Sequence, residues 1–248
     1  MIAAFAAQSL QFEVASIKPH PRAQGRGSAV PQTLRVEPTR LNYTNASLLA
    51  CIQAAYGIPG EGRPDYRIVG GPDWLTTERF DIDAKSDGPA GREQMMQMLQ
   101  MLLADRFKLR AHHETRELRA YALTTGKSEP KIARAKLDET EMFLQRRKDD
   151  PAGAAQELVV QRNTLSRFAD YLARQFSQPV IDKTGLQGDY SFTLHWVPDV
   201  NPPISPLDVF GPAGSRAMED QLGLRLEPIR TNVEVLVIDH VERIPTEN

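Results

Sequence analysis

Apolar residues recur along this chain with two alternating periods, two and close to 3.6, and the switches between them predict its elements. Phe12 to Ile17 alternates apolar and polar positions as a strand does, and Lys18-Pro19 ends it. His20 to Gln32, rich in Pro, Gly and Arg, reads as a loop. Leu34–Glu37 and Arg40–Tyr43 read as short strands, and Asn45-Ala46-Ser47 offers capping side chains. Leu48, Leu49, Ile52, Ala55 and Tyr56 then recur at helical spacing until Gly57. Tyr66–Val69 is a strand closed by Gly70-Gly71-Pro72, and Arg79–Ala84 is another with Phe80 and Ile82 on one face. Pro89 to Glu93 opens a helix whose apolar stripe is Met95, Met98, Leu99, Leu102 and Leu103. Lys108–Glu114 and Glu117–Thr125 read as two strands joined by a tight turn.

Gly126 to Glu157 breaks this rhythm. It carries the run Arg146-Arg147-Lys148-Asp149-Asp150 and the breakers Pro151-Ala152-Gly153, and it reads as a charged linker with a short helix around Glu139–Arg147. The pattern then restarts. Leu158–Val160 is a strand, and Asn163-Thr164 caps a helix bearing Leu165, Phe168, Leu172 and Phe176. Val180-Ile181 and Tyr190–Trp196 are strands, Pro198–Gly214 is a Pro/Gly-rich insertion, and Arg216–Leu222 ends a helix. Leu224–Glu227 and Val233–Ile238 read as a second hairpin.

Laid on one another, the halves coincide in residue type at Asp105 and Asp220, Leu109 and Leu224, and Arg110 and Arg225. Apolar positions coincide as well: Phe107 with Leu222, Tyr121 with Leu236, Ile52 with Phe168, and Phe80 with Tyr190. The element order is also shared. These correspondences predict an α+β fold of two tandem copies of a small two-layer unit, with two helices on a mostly antiparallel sheet. The expected division is a signal-peptide remnant at 1–10, a first repeat at 11–125, a charged linker at 126–157 and a second repeat at 158–248.

Composition changes the functional picture more than the fold. With 30 Lys+Arg against 32 Asp+Glu, the net charge near −2 argues against a general nucleic-acid partner, which needs a basic face to displace counterions. The single cysteine, Cys51, excludes an internal disulfide and a Cys-rich zinc site, and its apolar surroundings mark it as a small buried hydrophobe. No apolar run reaches bilayer length. Met1 to Gln8 is small and apolar, and Ala4-Phe5-Ala6 has the form of a signal-peptidase site. It reads as the tail of a secretory signal, which places the protein in the periplasm or outside the cell.

Several motifs combine into a resemblance. They are Phe12-Glu13-Val14-Ala15-Ser16-Ile17-Lys18-Pro19, Gly70-Gly71-Pro72-Asp73-Trp74 with Phe80-Asp81-Ile82, Leu103-Ala104-Asp105-Arg106-Phe107, Val180-Ile181-Asp182-Lys183-Thr184-Gly185-Leu186, Gln221-Leu222-Gly223-Leu224 and Val237-Ile238-Asp239-His240. Together they resemble, over nearly the whole chain, the soil-associated family of unknown function abundant in acidobacteria. The resemblance implies an exported protein. Some relatives are joined to membrane-bound antirepressor-type metallopeptidases, which implies a sensing or binding role by association. It supplies no catalytic residues. By element order alone, each half also resembles the short N-terminal domain of secretins and TonB-dependent transducers.

Candidate chemistry is sparse. His112-His113-Glu114 is the densest polar cluster; His112 and Glu114 share a strand face, while His113 points away. A zinc site would need a third ligand, with His195 or His240 as candidates, and a solvated strand face is the simpler reading. No metal or cofactor is called for. Asp239-His240 resembles a triad fragment in composition only, since strand neighbours face apart and no Gly-x-Ser-x-Gly elbow occurs. Asp182-Lys183-Thr184-Gly185 reads as a turn rather than half a phosphate loop. Trp74 and Trp196 are candidates for lining a ligand cleft between the repeats. The expected function is an extracytoplasmic module that binds or senses a small molecule or an envelope protein. The alternative is a hydrolase, metal-assisted or not, with its site between the repeats.

Overall fold

The computed structural model describes residues 11–21, 30–126, 129–150, 153–199 and 206–246. In chain order the elements are β1 (Val14–Pro19), β2 (Thr33–Glu37), β3 (Arg40–Ser47), α1 (Leu48–Ala55), β4 (Ile68–Gly70), β5 (Arg79–Lys85), α2 (Arg92–Arg106) and β6 (Arg110–Thr125). They continue with β7 (Ala133–Arg134), β8 (Met142–Asp150), β9 (Gly153–Asn163), α3 (Leu165–Phe176), β10 (Val180–Asp182), β11 (Tyr190–Trp196), α4 (Pro206–Leu222) and β12 (Leu224–His240). A 3-10 turn spans Asp73–Thr76. The N-terminal segment read as a signal remnant, 1–10, lies outside the described residues.

The chain forms two compact units. The first comprises Met1–Thr115 and Glu234–Asn248, and the second Arg116–Val233. In the first, β1, β5, β3 and β2 make an antiparallel sheet in that order. Alternation puts Leu41, Tyr43, Phe80, Ile82 and Ala84 in its core. The helices fill the same core with Leu48, Leu49 and Ile52 of α1 and with Met95, Met98, Leu99, Leu102 and Leu103 of α2. Ser47 caps α1 by accepting from Ala50 N at 3.1 Å. Phe80 meets Phe107 edge-on, with ring centroids 5.0 Å apart. β4 runs parallel to Leu236–Ile238 of β12, which brings Leu236 and Ile238 into this core.

In the second unit β7, β11, β9 and β8 make an antiparallel sheet. Thr164 caps α3 by accepting from Arg167 N, and Leu165, Phe168, Leu172 and Phe176 of that helix are buried. Phe168 packs edge-on against Phe192 of β11. β10 runs parallel to Tyr121–Leu123 of β6. Asp182 accepts from Thr184 N at 3.0 Å and Gly185 has φ +72°, so Asp182–Gly185 is a turn held by its own aspartate.

The α+β class stands, but two tandem helix-on-sheet repeats do not. The described residues form four helices and three sheets, sheet outweighs helix, and the first unit takes its last segment from the far end of the chain. Both expected hairpins are single long strands, β6 and β12. Their polar middles, from His113 to Arg116 and from Glu227 to Asn232, carry no glycine to turn on, and an exposed strand tolerates polar residues. The short helix expected at Glu139–Arg147 is largely strand β8 instead. Its Arg146 pairs across to the buried Glu157 on β9, so the basic run is one side of a hairpin.

Candidate functional site

Gln53 is the unusual residue of α1: a polar side chain 1% exposed within an otherwise apolar helix. Burying an amide requires partners for both its ends. The loop that follows the helix supplies them. Gln53 Oε1 accepts from Gly62 N at 2.6 Å, and its Nε2 donates to Arg63 O at 2.7 Å. Ile58 N donates to the carbonyl of the same residue at 2.8 Å. From the opposite side Gln32 Nε2 donates to Glu61 O at 3.1 Å. The loop Gly57–Asp65 is thereby pinned against α1. At Gly62 the approach is so close, with φ +86°, that a Cβ would stand 2.6 Å from the capping hydroxyl of Ser47.

The pinned loop walls a cleft of about 560 Å³ lined by Gln32, Tyr43, Gln53, Glu61, Arg63, Arg79 and Arg92, among others. Its volume is that of a small-molecule site. Three arginines, Arg63, Arg79 and Arg92, line it with one acidic residue, Glu61. Arg79 donates to neutral acceptors, Gln32 Oε1 at 3.1 Å and Asn45 O at 3.4 Å. The guanidinium groups of Arg63 and Arg92 have no carboxylate partner among the described residues. Many other arginines do: Arg40 with Asp83, Arg67 with Asp65, Arg216 with Asp199 and Arg230 with Glu117. Pairing lowers the carboxyl of Asp83, chiefly through the Arg40 hydrogen bond. The cleft therefore concentrates unneutralised positive charge on a chain whose net charge is negative. Tyr43 lines the cleft as well. Burial raises that phenol above its usual range, and its oxygen accepts from Gln32 Nε2 at 3.4 Å.

A second cleft of about 720 Å³ adjoins the first and shares Gln53, Ala54, Ile58, Pro59 and Arg92 with it. Its remaining wall includes Ala55, Tyr56 and Gly57 and, from α2, Glu93, Met96, Gln97 and Gln100; more of its surface is apolar than polar. Gln100 Nε2 donates to Ala55 O at 2.6 Å, tying α2 to the end of α1. All residues of both clefts belong to the first unit.

The residues singled out from sequence stand elsewhere. His112 Nδ1 lies 2.8 Å from Asp239 Oδ2, and His113 Nδ1 lies 3.2 Å from Glu234 Oε1. Each histidine of β6 thus meets its own carboxylate on β12, on opposite strand faces. No hydroxyl or thiol among the described residues bonds to the His112 ring. Glu114 follows on the same strand, exposed to an intermediate degree. His240 Nε2 is 3.7 Å from Glu242, and His195 Nδ1 is 3.7 Å from Glu157 in the second unit. No three metal-ligating side chains converge among the described residues. Trp74 packs partly buried on the core of the first unit, and Trp196 is buried against Phe210 in the second.

Sequence reading passed over the cleft. Its signal was present: Gly57-Ile58-Pro59-Gly60-Glu61-Gly62-Arg63-Pro64 sets an arginine among glycines and prolines directly after a helix containing an apolar-face glutamine. Arg79 and Arg92, on β5 and at the start of α2, could not be linked to it without the fold. Residues 49–241 match the profile of a protein family of unknown function, DUF3738. No curated protein and no solved structure matches the chain.

Proposed function

This chain belongs to the DUF3738 family of unknown function, and from its own cleft we propose that it is a binding module for small anionic ligands. The observation that carries the reading is the trio Arg63, Arg79 and Arg92 around one cleft, facing neutral groups and a single glutamate. An oxyanion would supply the missing acceptors. Guanidinium forks match carboxylate and phosphate oxygens, and charge-assisted bonds are about twice as strong as neutral ones. Buried Gln53 pins the loop that walls the cleft, which supports a shape set before a ligand arrives.

Calorimetric titration with sulfate, citrate and short carboxylates tests the reading. Binding is expected at low ionic strength, weakening as salt is added. A double Arg63→Gln/Arg79→Gln variant, folded by circular dichroism, is expected to lose at least about tenfold in affinity, as two charge-assisted bonds imply. Equal anion binding by that variant and the parent would refute it.

The setting is proposed to be extracytoplasmic. The resemblance to an exported, soil-associated family and the Ala4-Phe5-Ala6 sequence support this. No helix among the described residues is long and apolar enough to cross a membrane. Fractionation of producing cells, with recovery in the periplasm or medium, is the check. An envelope-protein partner remains compatible with the same cleft through an acidic side chain or a C-terminal carboxylate.

A further inference from the structure

We infer that the ligand is an amphiphile, an organic acid with its charged head at Arg63 and Arg79 and its apolar body in the adjoining cleft. This rests on the anion-binding reading and deepens it. The two clefts have different chemistry and common walls. The first holds Arg63, Arg79 and Tyr43; the second is lined by Tyr56, Met96, Ala54 and Ala55, with the polar side chains Glu93, Gln97 and Gln100 of α2 at the same wall. Ile58, Pro59 and Arg92 belong to both, so a molecule leaving the cationic compartment passes directly over apolar surface.

Two features suit an apolar body. Met96 is partly buried against the core, and methionine adapts its shape to an irregular occupant. The Tyr56 ring, partly buried against the core, lines the same cleft and adds aromatic surface. A small inorganic ion would fill the cationic compartment alone and leave the apolar wall in water. A neutral hydrocarbon would leave the arginines unanswered. An acid with a hydrocarbon body satisfies both, and each methylene moved from water to the wall adds about 0.8 kcal/mol. That is about a fourfold gain per carbon.

The test is a homologous series at constant ionic strength: acetate, butanoate, hexanoate and octanoate, with inorganic sulfate and 1-octanol as controls. Affinity is expected to climb up to about fourfold per methylene until the apolar cleft is filled. Octanol is expected to bind far more weakly than octanoate. Octyl phosphate against octanoate distinguishes a phosphate from a carboxylate head. Met96→Gln is expected to flatten the chain-length slope. The slope of the parent protein alone decides the question should that variant misfold. If acetate, octanoate and sulfate bind equally, the amphiphile is wrong and the anion site stands. If octanol binds as well as octanoate and Arg79→Gln changes neither, the anion site itself is wrong. If no acid or anion binds, both readings fall.

Discussion

Gly62 and Gly57 separate two reasons for glycine within one loop. Gly57 has φ +67° with open space around it, so alanine there meets only the backbone cost of the left-handed region, about 1–2 kcal/mol. At Gly62 the same kind of cost is joined by a collision with the hydroxyl that caps α1. Losing a cap costs about 1 kcal/mol more, so Gly62→Ala is expected to destabilise by about 2–3 kcal/mol. Urea unfolding of the two variants should separate them by that cap. Equal losses would mean the loop gives way without disturbing Ser47.

Buried titratable groups make a second prediction at this scale. Burial pushes the Cys51 thiol up to about 12 from an ordinary 9. It pushes the Tyr171 phenol up to about 12 from 10, partly offset by Arg174. Both groups hold their protons more tightly folded than unfolded. Their contribution to stability is therefore complete below pH 9, and it is lost as pH rises through 9–12. Denaturation midpoints are expected to be flat approaching pH 9 and to fall above it, with a shallower early fall in Cys51→Ala. At pH 8 a disulfide thiol reagent is expected to label Cys51 only after unfolding. Prompt labelling of the native protein would contradict its burial.

Elements show which parts of this fold can be read from sequence. A helix with one apolar stripe announces itself, and α2 buries the five residues its spacing names although its N-cap, Gly91, offers no capping side chain. The cap of α3 was equally legible, and it can be measured. Thr164→Ala is expected to cost about 1 kcal/mol, with Thr164→Ser close to neutral, by chemical denaturation. The long strands were illegible for a definite reason. β6 buries Ala120, Ala122 and Leu123 near its end, while much of its first half is solvated, so alternation fades where the strand continues. β8 hid behind its charge run because a cross-strand partner such as Glu157 is invisible locally. The cleft was half legible. Its loop carries turn residues that explain its path, but Gln53 pins that loop through bonds that depend on the helix facing it.

At the scale of the molecule, the order of residues along the chain and their membership in a unit part company. The first unit closes its core with Leu236 and Ile238, from the end of the chain. Leu236 N donates to Arg67 O at 2.7 Å, Glu242 N to Phe107 O at 2.7 Å and Thr246 N to Arg106 O at 2.8 Å. Each fully buried aliphatic side chain contributes about 1.5–3 kcal/mol, so the two together contribute about 3–6 kcal/mol. That is comparable to the whole stability of a typical domain, about 5–15 kcal/mol. A chain ending at Val233 is therefore expected to lose the cooperative unfolding of its first unit, visible as loss of amide protection across α1 and α2, and with it anion binding. A peptide of residues 234–248 added in trans is expected to restore both. Residues 11–125 expressed alone should likewise fail to fold, because they contain the first sheet and both of its helices but not the strand that closes their core. Native-like protection in that fragment would show residues 11–125 to be self-sufficient and the borrowed strand dispensable.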